Sequence, residues 1–337
     1  MSTPVLADSV RIKPDGVHIL DRRVFPFRRE WVRCETSEDV AVAIETMVTQ
    51  SSGPYFAALG GMVLAAREAA ALPRAEARAY LERTGERLIM TRPTNNHLRK
   101  AVRFVLSEVD AGGDLVEAAE AGARIGDERY RARSRALGTY AAELLPSTGT
   151  VLTHCWADLY LVELVRAAGR LGKEPAFVCT ETRPYLQGAR LTAATLAEMG
   201  VDTTLITDGA GAAELASGRI GALVTAADRV TMDGHVVNKI GTLGLAIAAH
   251  AFGVPFHALV QAPDQLAPTG ADVPIEHRPG DEVLSVLGRR TTVEGVRGRY
   301  PAFDVTPPRF VTTVVTDRGP FAPDELGGYY EEGEENQ

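Results

Sequence analysis

Four short apolar runs in this sequence end in side chains able to do chemistry. TVLT leads into His154-Cys155-Trp156, AFVC into Thr180-Glu181-Thr182-Arg183-Pro184, TTLIT into Asp208-Gly209, and GALVTAA into Asp228-Arg229. A fifth polar cluster, Asn238-Lys239-Ile240-Gly241-Thr242, opens another helical pattern. A thiol at a helix N-terminus is drawn toward neutral pKa by the helix dipole. A carboxyl behind an apolar strand is held neutral by its surroundings. Cys155 and Asp228 are therefore among the candidate reactive residues at these ends. Lys239, with the amides beside it, has the makings of a phosphate clamp.

Each of these residues also admits a structural reading. A lone cysteine at a strand end is most often a small buried hydrophobe. Asp228 suits a turn cap, Arg183 beside Glu181 suits an ion pair, and Asn238-Lys239 suits an exposed loop. His154, His250 and His257 lack metal-ligand spacing and read as structural. What favours chemistry is convergence, because polar side chains follow four successive apolar runs.

Those runs are short, β-branched and separated by helical stretches, at intervals of roughly 20–30 residues. Strand, helix, strand in repetition is the pattern of a parallel sheet covered on both faces, and ligands bind such sheets at the carboxyl ends of the strands. The fold class expected is α/β, with residues 146–337 forming a Rossmann-like domain. Residues 1–116 read as a small β-sheet plus helices. Residues 9–35 are β-rich around the turn Pro14-Asp15-Gly16. Ser37 is placed to cap a helix carrying Val40, Val42, Ile44 and Met47. Further helices are expected over Phe56–Ala69, over Arg74–Ile89, and after Pro93 with Leu98, Val102, Val105 and Val109 on one face. Residues 117–145 read as a linking helix interrupted at Gly122 and Gly126. The acidic tail YYEEGEENQ is expected to fray.

The bulk properties narrow the partners. The 337 residues are 45% hydrophobic and 24% charged, with a net charge of −8. That acidity argues against nucleic acid but leaves room for a small anion held by local arginines and amides. The apolar runs are far short of a bilayer span. The N-terminus lacks a basic segment followed by an apolar one, so no signal peptide is expected. Three widely spaced cysteines, Cys34, Cys155 and Cys179, make neither a disulfide framework nor a zinc site. The expectation is a cytoplasmic protein without a metal.

Several longer motifs carry a resemblance. THC at 153–155, ETRPYLQGARLT at 181–192, ADRV at 227–230 and NKIGT at 238–242 resemble the methylthioribose-1-phosphate isomerase family. That family is related to ribose-1,5-bisphosphate isomerases and to the regulatory subunits of the eukaryotic initiation-factor exchange complex. ILDRRVFPFRREWVRCET, Arg92-Pro93-Thr94, PTGADVPIEHR at 268–278 and PAFDVTPP at 301–308 extend the likeness over nearly the whole chain.

The resemblance implies a homodimeric aldose–ketose isomerase without a cofactor, acting on a sugar 1-phosphate. In it Cys155 and Asp228 match the catalytic pair, and Arg92, Gln187, Asn238 and Lys239 match substrate-binding positions. Two departures bear on the substrate. Where the family carries Arg-Gly-Ala-Pro, this chain has Gln50-Ser51-Ser52-Gly53-Pro54. It lacks the arginine and offers only the hydroxyls of Ser51 and Ser52 and the amide of Gly53 to an oxyanion. After THC comes Trp156-Ala157-Asp158, in place of a loop of small residues. The expected substrate is a ribose 1-phosphate with a changed 5-substituent. The alternatives are ribose 1,5-bisphosphate, or a non-catalytic, ligand-sensing role.

Overall fold

The computed structural model describes residues 2–92, 96–147 and 149–331. Pro93 and Thr94 of the Arg-Pro-Thr motif, and the acidic tail beyond Glu331, lie outside them. The chain forms two compact units. One is Pro4–Ala132, and the other joins Met1–Thr3 to Arg133–Gln337.

In the first unit, β1 (Val10–Lys13), β2 (Gly16–Leu20) and β3 (Trp31–Cys34) form an antiparallel sheet. The β1–β2 hairpin turns at Pro14-Asp15, with Lys13 opposite Gly16. Helix α1 (Ser37–Glu45) starts one residue earlier than Ser37's capping role required. Thr36 is the cap, its hydroxyl accepting from the Asp39 amide while the Asp39 carboxylate accepts from the Thr36 amide. Met47 falls beyond this helix, in a left-handed turn with φ 63°. Then come α2 (Gly53–Glu68), α3 (Arg74–Met90) and α4 (Asn96–Ala111), close to the expected ranges.

Helix α5 (Leu115–Leu144) corrects one expectation. It runs 30 residues without interruption through Gly122 and Gly126. The missing side chain at Gly122 serves packing: a Cβ there would stand 2.7 Å from Val105 Cα and 2.8 Å from the Phe104 carbonyl of α4. Glycine costs a helix about 1 kcal/mol relative to alanine, but here it lets two backbones approach.

The second unit alternates strand and helix: β4 (Thr150–Thr153), α6 (Leu159–Arg170), β5 (Ala176–Thr180), α7 (Ala193–Glu198), β6 (Thr203–Ile206), α8 (Gly211–Ala216) and β7 (Ile220–Ala226). A short ladder of β8 (Arg229–Val230) and β9 (Val236–Lys239) leads into α9 (Thr242–Ala251) and β10 (Phe256–Leu259). Beyond these lie two small antiparallel pairs. In one, β11 (His277–Arg278) pairs with β14 (Tyr300–Pro301), and in the other β12 (Ser285–Val286) pairs with β13 (Arg289–Arg290). Then β15 (Phe303–Thr306) pairs antiparallel with β9, and β16 (Thr313–Val315) and β17 (Pro320–Phe321) complete the main sheet.

The main sheet has the order β17-β16-β10-β7-β4-β5-β6, parallel except for β17. From β4 the chain winds outward through β5 and β6, then returns past β4 to build β7, β10 and β16. This is the doubly wound order, and its reversal lies between β4 and β7. The central strands are apolar because both their faces are covered, whereas the edge strand β6 is half-exposed. Leu152, Val178, Leu223, Leu245, Phe256, Ala258 and Val314 make one buried cluster, each large side chain contributing about 1.5–3 kcal/mol.

Replacing Gly122 by alanine tests the close approach of α4 and α5. At an open helical position the change would stabilise; here overpacking should lower the unfolding free energy by about 1–3 kcal/mol. Urea midpoints of the two proteins decide it.

Candidate active site

The order reversal separates the loops that follow β4 and β7, and Cys155 and Asp228 stand on those two loops. Cys155 is held in a left-handed conformation, φ 66°, which a non-glycine residue keeps only when its surroundings enforce it. Two threonines do so. The Cys155 amide donates to Thr182 Oγ1 at 3.0 Å, and Thr192 Oγ1 donates to the Cys155 carbonyl. Thr182, also left-handed at φ 63°, is fixed by Asp208, whose carboxylate accepts from the amides of Thr182 and Arg183 at 2.7 Å each.

The thiol differs from the expectation. Helix α6 begins only at Leu159, and the amide acting on the sulfur is that of Trp156. Burial dominates and pushes the thiol pKa up; the Lys239 ammonium opposes it, while the Asp228 and Asp208 charges reinforce it. At rest the sulfur keeps its proton. Asp228 differs too, because it is exposed rather than enclosed in apolar surroundings. Its amide donates to the Val237 carbonyl at 2.9 Å, which ties it to strand β9 beside Asn238 and Lys239.

Lys239 is 9% exposed, yet among the described residues it has no ion-pair partner. Its ammonium stands 4.6 Å from the centre of the Phe303 ring and 5.7 Å from that of Tyr300. Burial pushes its pKa down, while the charges of Cys155, Asp228 and Glu276 push it up. Asn238, also buried, donates through Nδ2 to Thr242 Oγ1 at 3.0 Å. The amides expected to join this clamp are already engaged. Those of Gly241 and Leu243, at the start of α9, donate to the Asp304 carboxylate at 2.7 and 3.1 Å. Two of the amides at this turn are thus committed to Asp304.

Gln187 is buried in the turn that precedes Gly188–Thr192. Cys155, Asp228 and Lys239 act electrostatically on one another, so the second unit brings the pair and the lysine together. The Arg183–Glu181 ion pair does not form; the guanidinium donates instead to the carbonyls of Val283 and Ser285 at 3.0 and 2.9 Å.

The first unit holds the remaining candidates. Ser51 is exposed with φ 55°, Ser52 is buried, and Gly53 opens α2. Arg92 sits just past α3, its guanidinium against the Met47 sulfur, at the loop that carries the serines. Beneath that loop lies Arg22, 1% exposed and donating to the Gln50 carbonyl at 2.5 Å and to Ser9 Oγ at 2.8 Å. Reading by motif missed Arg22, Tyr300 and Asp304. Arg22, inside ILDRRVFPFRREWVRCET, and Asp304, inside PAFDVTPP, carried a sequence signal; Tyr300 did not.

A doubly wound domain with a thiol, a carboxylate and, among the described residues, an ammonium without an ion pair at its order reversal belongs to the class that binds small ligands there. Residues 51–323 match the model of the initiation factor 2 subunit family, and the chain belongs to that family. It is 40% identical over 328 residues to the methylthioribose-1-phosphate isomerase of Anaeromyxobacter dehalogenans, covering 94% of this chain and 93% of the relative. It is 37% identical to that of Koribacter versatilis, covering 94% of each. Among solved structures it is similar to 5-methylthioribose 1-phosphate isomerase from Pyrococcus horikoshii, with TM-score 0.86, 31% identity and 99% of each chain covered. It is also similar to the eIF-2B delta subunit from A. fulgidus, with TM-score 0.82, 32% identity and 94% and 96% covered.

Asp304 offers a test of the turn's electrostatics. Burial outweighs its amide bonds and raises its carboxyl pKa from 3.8 to about 6. The folded chain therefore binds this proton more tightly than the unfolded one. The resulting stability is fully present below pH 4 and is lost as pH rises to about 6. Between pH 4 and 7 the unfolding free energy of wild type should fall by roughly 2 kcal/mol relative to Asp304→Asn. Urea unfolding at each pH measures the difference.

Proposed function

We propose that the chain is an aldose–ketose isomerase converting a ribose 1-phosphate with a changed 5-substituent, such as 5-methylthioribose 1-phosphate, into the ribulose 1-phosphate. The observation that carries this reading is the buried, unpaired Lys239 ammonium beside a thiol and a carboxylate at the order reversal. A buried cation with no carboxylate in direct ion-pair contact is costly, and a substrate phosphate would pair with it. Relatives named as methylthioribose-1-phosphate isomerases, 37–40% identical over almost the full length, support it.

The chemistry follows from the substrate. An aldose 1-phosphate is locked as a cyclic acetal ester, so the ring oxygen must gain a proton before the ring opens. A hydrogen must then pass from the second carbon to the first. Asp228 is the proposed acid and Cys155 the proposed base. The sulfur is protonated at rest, so the base forms when its proton passes to Asp228, the proposed acid, and Lys239 stabilises the thiolate left behind. Substrate closing over exposed Asp228 would exclude water from the acid.

Asn238 and Gln187 are proposed to hold substrate oxygens with Lys239, and Ser51, Ser52, Gly53 and Arg92 to belong to the substrate-binding set. No metal or organic cofactor enters this scheme. The working state is proposed to be a cytoplasmic homodimer; among the described residues no helix is long and apolar enough to cross a membrane.

A ketose-forming assay over pentose 1-phosphates with varied 5-substituents tests the proposal. Wild type should turn over at least one of them. Cys155→Ser and Asp228→Asn should each lose roughly 10²–10⁴-fold in kcat, and Lys239→Met should chiefly raise KM. Turnover of none by wild type refutes the isomerase reading. Full activity in the Cys155 and Asp228 variants refutes the assigned pair.

A further inference from the structure

His154 carries no role in the scheme above, yet it touches both halves of the site. It is 2% exposed. Its Nδ1 lies 2.6 Å from Thr180 Oγ1 at the end of β5, and its Nε2 lies 2.9 Å from the Ile240 carbonyl. A carbonyl can only accept, so Nε2 carries the hydrogen and Nδ1 accepts from the threonine hydroxyl. Burial pushes the imidazole pKa down, which keeps the ring neutral and this tautomer in place.

Both contacts lead to functional residues. Ile240 follows Lys239 directly and precedes Gly241, whose φ is 106°. A Cβ at Gly241 would stand 3.1 Å from His154 Cε1 and Nε2, so the turn packs against the ring face. On the other side, Thr180 Oγ1 lies 3.5 Å from Thr182 Oγ1, the acceptor of the Cys155 amide. The imidazole thus spans from the loop after β4 to the turn between β9 and α9, with each nitrogen satisfied. A histidine that merely filled core volume would not need two directional bonds to different elements.

We propose that His154 is a positioning residue, an imidazole strut that ties the Cys155 loop to the Lys239–Gly241 turn and keeps the ammonium beside the sulfur. It rests on the assignment of Cys155 and Lys239 to the site, not on the identity of the sugar. Without the strut, the Ile240 carbonyl loses its donor, the turn relaxes, and the charge that opposes burial at the sulfur moves away.

The test is the pH dependence of Cys155 alkylation by iodoacetamide in the full-length chain, followed on its own peptide by mass spectrometry. Cys34 and Cys179 are buried and are scored on separate peptides. His154→Phe should slow alkylation at pH 8 roughly 10-fold, equivalent to about one pH unit in the thiol midpoint. His154→Gln, which restores a donor for Ile240 and an acceptor for Thr180, should stay within about threefold of wild type. Thr180→Val keeps the strand's shape and removes the bond to Nδ1 together with the 3.5 Å contact to Thr182 Oγ1. It should shift the midpoint the same way by less, and it serves as the variant if His154→Phe fails to fold. In a Lys239→Met background, His154→Phe should add no further shift.

A wild-type thiol titration in folded His154→Phe and Thr180→Val, even with lowered thermal midpoints, overturns the proposal. A full further shift in the Lys239→Met background overturns it as well. Failure of wild type in the pentose 1-phosphate assay would instead strike the isomerase reading and leave the thiol titration to decide the strut.

Discussion

The burial of one ammonium group shapes the candidate site. Lys239 is enclosed by aromatic rings and by strand β9, with no ion-pair partner among the described residues. Taking such a group out of water without an ion-pair partner costs several kcal/mol, and the surrounding geometry makes sense as the means of keeping it there. The β9–β15 ladder sets Lys239 opposite Phe303 and Asn238 opposite Asp304. Asp304 then reaches the amides that start α9, and His154 holds the carbonyl between the lysine and that helix. The consequence reaches Cys155, because the lysine is the chief charge opposing burial of its thiol.

The sheet supplies the second constraint. Its strand order reverses between β4 and β7, so the loops that follow these strands diverge and leave room for a ligand. Cys155 and Asp228 stand on those loops, far apart in sequence and joined by topology. Strained backbone concentrates at the same place: Cys155 and Thr182 are both left-handed, Cys155 held by hydrogen bonds with Thr182 and Thr192 and Thr182 by its amide's bond to Asp208. Strain of about 1–3 kcal/mol per residue persists where the surroundings over-determine it, and such residues cluster at functional sites.

The resting state of Cys155 follows from these surroundings. Burial raises its thiol pKa against the opposing Lys239 charge, so the sulfur is not a preformed thiolate.

Much of this was legible in the sequence. Short β-branched runs alternating with helical periods specify a parallel sheet, because a strand covered on both faces must be apolar along its length. The reactive side chains after those runs, and the long motif ETRPYLQGARLT, marked Cys155, Asp228, Gln187 and Lys239. What local pattern cannot express is the sum over distant neighbours. The amides at the start of α9 looked available until Asp304, 63 residues from Gly241, was found to occupy them. Gly122 and Gly126 looked like helix interruptions until the close approach of Val105 explained the first. His154 looked structural because its partners lie 26 and 86 residues away. Periodicity and residue type fix elements and candidate chemistry, since both act over a few residues. Burial, charge environment and hydrogen-bond partners belong to the tertiary structure, because each is set by groups that only the folded chain brings within a few ångströms.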